Sequence, residues 1–292
     1  MNGNVVLAVL VFYPMIGGLV AWALRGKLQM SSQNTAAGTG RVGAGADANA
    51  FSHSRACSVQ NGETLPHGAS LVADFVAVTE FLLMLLLFAT QASEAGDGAA
   101  MSLTISGICG FGLNFTLDGF RLLYGLIAGL MWMMTALLCP QYFGSHGHSE
   151  GHSSSHAEAH PDSARFYVFF LLTLGATLGV FFSADLYTTF IFFEMMSFTS
   201  YVWVAHEENN AALRAADTYL TVAVLGGLVM LMGIFGVWHE LGTLTISELS
   251  AAASAYENKT VLYALGGCMF FGFAAKAGAF PLHIWLPKAH PL

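Results

Sequence analysis

Apolar residues gather along this chain in runs of membrane length, separated by short polar turns and two long polar stretches. A helix rising 1.5 Å per residue needs about 20 mostly apolar residues to cross about 30 Å of hydrocarbon. About seven stretches qualify: residues 5–24, 69–90, 119–139, 166–182, 186–205, 215–237 and from 261 past 276. The fourth and fifth are joined by only a few residues around Asp185, which makes them antiparallel neighbours. The predicted fold is an all-α polytopic membrane protein whose last helix is discontinuous.

Between the runs the helical period fails. Residues 31–68, rich in Ala, Gly, Ser, Thr and Asn, predict a flexible loop without secondary structure. Residues 141–164 are a second low-complexity stretch containing HGHSEGHSSSHAEAH. Its histidines (His146, His148, His152, His156, His160) sit among Ser and Gly that fix no coordination geometry, which reads as a solvated tether, with weak or adventitious metal binding as the alternative. Residues 91–117 form an external segment, with an alternation around Leu103–Ile108 that fits a hairpin. HEENNAALR is a polar turn after the fifth span, and a loop with His239, Glu240, Glu248 and Lys259 follows the sixth. The chain therefore divides into a first span (1–30), the loop 31–68, spans two and three (69–140), the His-rich stretch (141–164) and a four-span module (165–292).

Composition agrees with the pattern. The chain is 55% hydrophobic and 10% charged, where soluble domains carry about 25% charged residues. A net charge of −8 with 10 Lys and Arg leaves no basic patch for nucleic acid. Arg25, Lys27, Arg41, Arg55, Arg165, Arg214 and Lys288 fall on one predicted side, and Lys259 and Arg121 on the other. That asymmetry places the N-terminus outside a cell membrane. No positive region precedes the first run, which reads as a retained span and not a cleaved signal peptide. Cys57, Cys109, Cys139 and Cys268 show no C-x-x-C spacing and read as small apolar fillers, so no cluster or other cofactor is expected in this chain.

Two ionisable residues lie deep in apolar runs. Glu194, in IFFEMMSFTSY, is about eight residues into the fifth span, near Ser197, Thr199 and Ser200. Lys276 is about 15 residues into the last span, just before Gly278 and Pro281, where the helix should break near Ala279–Pro281. A charge at the bilayer centre costs roughly 3 kcal/mol on insertion scales, so each is a functional candidate by default. Broken helices at this depth line cavities or ion sites. Desolvation favours the neutral form of each group and mutual attraction the charged forms. A lysine whose hold on its proton depends on a nearby glutamate is a proton switch. His206, at the end of the Glu194 span, and His283, past the break, could relay protons, and each equally suits interfacial hydrogen bonding. Glu80, inside the second span, is a candidate for a route or lateral coupling, and Asp118 reads as a helix N-cap.

The stretches ATLGVFFSADLYTTFIFFEMMSFTSYVWV and GFAAKAGAFPLHIWLPKAH resemble the antiporter-like membrane subunits of respiratory complex I. They are equally similar to subunits of membrane-bound [NiFe] hydrogenase and formate hydrogenlyase complexes and of Mrp-type cation/proton antiporters. The LDGF segment at Asp118 resembles the start of the family's third helix. The resemblance covers mainly residues 117–292. It implies that Glu194 and Lys276 are the family's ion-translocating pair, and His283 the histidine of its PLHxWLP segment. It further implies a chain without a redox centre. Its partners would be other antiporter-like membrane subunits and a peripheral redox arm bearing iron–sulfur clusters. Family members have about fourteen helices in two inverted five-helix repeats. This sequence ends at HPL, the expectation being a split subunit completed by another polypeptide, or a truncated chain.

The expected function is H⁺ or Na⁺ translocation within a redox-driven complex of the NADH:quinone oxidoreductase or hydrogenase type. The alternatives are membership of a stand-alone Na⁺/H⁺ antiporter of the Mrp type and a scaffold that anchors a catalytic arm and pumps nothing.

Overall fold

The computed structural model describes residues 3–38, 67–93, 101–107, 110–146 and 163–289. In order these form α1 (Gly3–Gly38), α2 (His67–Ser93), a hairpin of β1 (Met101–Ile105) and β2 (Leu113–Leu117), and α3 (Gly119–His146). Next come α4 (Ser163–Phe182), α5 (Leu186–Val204), α6 (Asn210–Leu241), α7 (Ile246–Ala255), α8 (Lys259–Ala277), a 3-10 turn at His283–Trp285 and α9 (Leu286–Ala289). Among the described residues, α1, α2, α3, α4, α6 and α8 are long and apolar enough to cross a membrane. The seventh expected span, α5, has 19 residues like α8. Glu194 and the many hydroxyl side chains make it more polar, and it depends on its neighbours for shelter.

Packing follows an ordered series. α1, α2 and α3 gather against α4; α5 then packs on α4, α6 on α5 and α8 on α6. α4 is central because small residues let its neighbours close in. A Cβ on Gly175 would meet Met15 Cγ at 2.5 Å, and one on Gly179 would overlap the Phe192 ring. Phe170, Leu171, Leu174, Leu178 and Phe182 are consequently almost fully buried. The polarity is the reverse of a soluble bundle. Glu80, Thr173, Thr177, Thr188 and Ser197 are inside, while Trp22, Phe75, Leu86, Met131, Leu228 and Met232 face outward. An outer surface of this kind is at home in hydrocarbon.

One end of the bundle is tied by Asp185. It N-caps α5, accepting from Thr188 N at 2.7 Å and Thr188 Oγ1 at 2.9 Å, and it also accepts from Asn114 Nδ2 at 2.8 Å. Asn114 lies in β2, whose strand pairs antiparallel with β1 in the register Leu103 to Phe115. Backbone bonds from Ala184 N to Asn114 O (2.7 Å) and from Ile246 N to Ala184 O (3.0 Å) extend the tie to the hairpin and α7. Beside it, Tyr256 donates to Glu240, a bond that raises the tyrosine pKa above its ordinary value.

The helices overrun several expected boundaries. α1 continues through residues 31–38, and α3 through 141–146, both expected to be loop. Extending an existing helix avoids the nucleation cost, and SSQNTAAG contains no residue that stops it before Gly38. α6 begins inside the expected polar turn, capped by Asn209 accepting from Ala212 N at 2.7 Å, and it takes in His239 and Glu240 before Gly242 ends it at φ 72°. The expected outer loop contains α7. Residues 39–66 and 147–162, with Arg41, Arg55, Cys57, His148, His152, His156 and His160, lie outside the described residues, as does Cys109.

Asp185→Ala removes a helix cap and the tie to Asn114 together. It should lower stability by about 1–3 kcal/mol, read from thermal unfolding in detergent. Asp185→Asn, which keeps an acceptor, should lose less.

Candidate functional site

α8 ends beside the middle of α6. Its Ala275 packs at Gly226, halfway along the 32 residues of α6, while Leu265 packs further on at Gly233. Gly278 terminates α8 in the left-handed region at φ 68°. The chain then turns back through the His283–Trp285 segment. The carbonyls exposed by the break are met locally: Ala279 N donates to Ala274 O at 2.9 Å, and Trp285 Nε1 to Ala275 O at 2.9 Å. This is the discontinuity that Gly278 and Pro281 predicted.

Lys276 occupies that last turn, where a cation also complements the carbonyl end of a helix. Its Nζ donates to Ser197 Oγ at 3.1 Å, to Ser200 Oγ at 3.4 Å and to the Tyr219 hydroxyl. An ammonium has three protons to donate, and three hydroxyls from α5 and α6 receive them. The charge also lies 4.7 Å from the centre of the Tyr219 ring. Ser200 Oγ and the Tyr219 hydroxyl are 2.6 Å apart, which closes the cluster. On the far side of α5, Thr199 Oγ1 accepts from Thr173 at 2.7 Å, carrying the row of hydroxyls into α4.

Glu194 precedes Ser197 by three residues, hence on the same face of α5 and about 4.5 Å along its axis. Its carboxyl rests against Gly227 of α6, and Oε1 is buried without a hydrogen-bond partner. The two predicted residues are therefore brought into one polar tract. They are not hydrogen-bonded to each other, because the donors of Lys276 go to hydroxyls.

The other candidates stand apart from this cluster. His283 is exposed, stacked on Phe280 with ring centres 5.6 Å apart. His206 is buried just beyond α5, its ring edge-on to Phe166 at 5.3 Å. Glu80 is fully buried on α2, and both its carboxyl oxygens lack a hydrogen-bond partner. Asp118 caps α3, accepting from Arg121 N at 2.8 Å and from the Arg121 guanidinium at 2.9 Å. Cys139 and Cys268 are free thiols in apolar packing. Tyr219 was missed from the sequence. A tyrosine inside the run AADTYLTVAVL was its signal, since a buried phenol seeks a partner.

Residues 183–291 match the family model described as NADH:quinone oxidoreductase/Mrp antiporter, TM. A Na⁺/H⁺ antiporter protein of Alkalihalophilus pseudofirmus is 30% identical over 125 residues, which are 43% of this chain and 25% of that protein. A chain of the membrane-bound sulfane sulfur reductase, an archaeal respiratory membrane complex, superposes with TM-score 0.68 at 20% identity, over 97% of this chain and 47% of that one. A chain of respiratory complex I from Thermus thermophilus gives 0.65 at 19%, over 97% and 46%. The chain thus spans under half of these solved chains and 20–26% of the first curated relatives it matches. At such identities the solved structures establish a shared fold.

Tyr219→Phe should leave the bundle folded and weaken the hold on Lys276 by about 1–3 kcal/mol, the cost of leaving a buried donor without its acceptor. A thermal-unfolding cycle with Lys276→Met should give a coupling energy of about 1 kcal/mol; additive losses would mean that the phenol and the amine do not interact. Glu80→Gln, similar in shape, should assemble as well as the parent.

Proposed function

We propose that Lys276 and Glu194 take up and release the ion that this chain moves across the membrane, a reading supported by the match of residues 183–291 to the NADH:quinone oxidoreductase/Mrp antiporter family model. The observation that carries this reading is an ammonium held at the mid-bundle end of a broken helix by Ser197, Ser200 and Tyr219, with a carboxyl one turn away on α5. Three hydroxyls stabilise the charged lysine through groups that turn readily. If Glu194 swings toward the amine the proton is held more tightly, and if it swings away the proton is released more readily. The ion handled here is H⁺. An amine accepts a proton, whereas Na⁺ needs a shell of oxygens. Further helices, from the same protein or a partner polypeptide, complete the path. His206, just past the end of α5, and His283, past the break in α8, are the candidate relays for that path, and Glu80 lies outside it.

Two settings suit this module. In the first, electron transfer in a peripheral arm bearing iron–sulfur clusters drives ions through this and neighbouring antiporter-like subunits; the likeness to chains of two respiratory complexes supports it. In the second, the chain is part of a Na⁺/H⁺ antiporter, which the relationship to the Alkalihalophilus pseudofirmus protein supports. Ion movement in membrane vesicles that requires an electron donor identifies the first, and movement driven by an imposed Na⁺ gradient alone identifies the second.

In the complete complex, Glu194→Gln and Lys276→Ala should each cut ion movement at least about tenfold, equivalent to about 1.4 kcal/mol, with the complex still assembled. Vesicles that carry either variant and move ions at the parent rate would make the chain a scaffold.

A further inference from the structure

Gly226 and Gly227 stand where α5, α6 and α8 meet, and each faces a different neighbour. A Cβ on Gly226 would lie 2.6 Å from the Cβ of Ala275, the residue before Lys276. A Cβ on Gly227 would overlap Glu194 Oε1 and lie 2.7 Å from its Cδ. Neither gap admits a methyl group without movement. The seam between α6 and α8 continues through Gly233 and Gly236, which both face Leu265, so Gly227 is not needed for that seam. It turns toward α5 instead. The backbone N–H groups of mid-helix α6 are engaged in their own ladder. The hollow at Gly227 therefore receives the Glu194 carboxyl by shape, and Oε1 has no hydrogen-bond partner there. Meanwhile the donors of Lys276 are occupied by Ser197, Ser200 and Tyr219. Acid and base are apart, and each has a resting place of its own.

We propose that Gly227 is a positioning residue whose missing side chain forms the hollow into which Glu194 withdraws from Lys276. This rests on the reading of Glu194 and Lys276 as the ion-handling pair. With the hollow open, the carboxyl has two positions, one on α6 and one beside the amine. With the hollow filled it has only the second, and the exchange stops. Gly226 has a separate task, setting how closely the end of α8 approaches.

The test is a pair of mutant cycles in the complete complex, read by ion movement in vesicles and by thermal unfolding. Gly227→Ala should lower ion movement at least about tenfold and lower the unfolding midpoint. In a Glu194→Asp background the carboxyl is one methylene shorter and stops short of the hollow. There Gly227→Ala should change both readouts little, and the midpoint stays readable if that background moves no ions. Gly226→Ala should act equally in both backgrounds and be relieved by Ala275→Gly. If Gly227→Ala alone prevents assembly, adding Glu194→Asp should restore it. Parent-level ion movement in Gly227→Ala, equal losses in both backgrounds, or a double variant that still fails to assemble overturns the proposal. Parent-level movement in Glu194→Gln overturns the underlying reading instead.

Discussion

A charged amine cannot be left without acceptors at the depth where α8 stops, and the surrounding structure answers to that constraint. Lys276 has three protons to place, and hydrocarbon offers nothing for them. α5 presents Ser197 and Ser200 on one face, α6 presents Tyr219, and the helix breaks so that the lysine stands at the carbonyl end of α8. The break exposes further polar backbone, which the returning turn covers through Ala279 N and Trp285 Nε1. Each of these features would be a defect elsewhere in a membrane helix. Together they satisfy one another.

The division of labour along the bundle follows. α1 to α4 form a largely apolar block in which two acids of α2, Asp74 and Glu80, hold buried carboxyl oxygens without a hydrogen-bond partner, and the Asp185 tie fixes the hairpin and the α6–α7 corner to one end of it. α5, α6 and α8 carry the hydroxyls and charged groups gathered around Lys276. Their contact is made of small residues and hydroxyls, which pack closely. The hydroxyl pair Thr173–Thr199 joins the two parts between α4 and α5, and Ser183–Thr189 and Arg165–Glu208 join them again toward the helix ends.

Much of this was legible in the chain. Apolar runs of membrane length announce the helices because hydrocarbon thickness imposes that length. The alternation at Leu103–Ile108 marked the hairpin, although β1 closes at Ile105. Gly278 and Pro281 marked the break because their backbone chemistry is local. Glu194 and Lys276 stood out because charge is rare in such runs. Partner choice was not legible. Tyr219 meets Lys276 only once the register of α6 against α8 is set, and that register comes from Gly226, Gly233 and Gly272 in three dimensions. The same is true of Gly227 facing Glu194. Helix ends at Gly38 and His146 were missed because polar, low-complexity sequence can continue a helix as readily as leave it.

Lys276 points inward and is held by the hydroxyls of α5 and α6. A density map of the assembled complex, sharp enough to show side chains around α5, α6 and α8, tests it most directly. The amine should lie within hydrogen-bonding distance of Ser197 and Tyr219. Density that carries the lysine outward to lipid, with the Tyr219 hydroxyl bonded elsewhere, would contradict it.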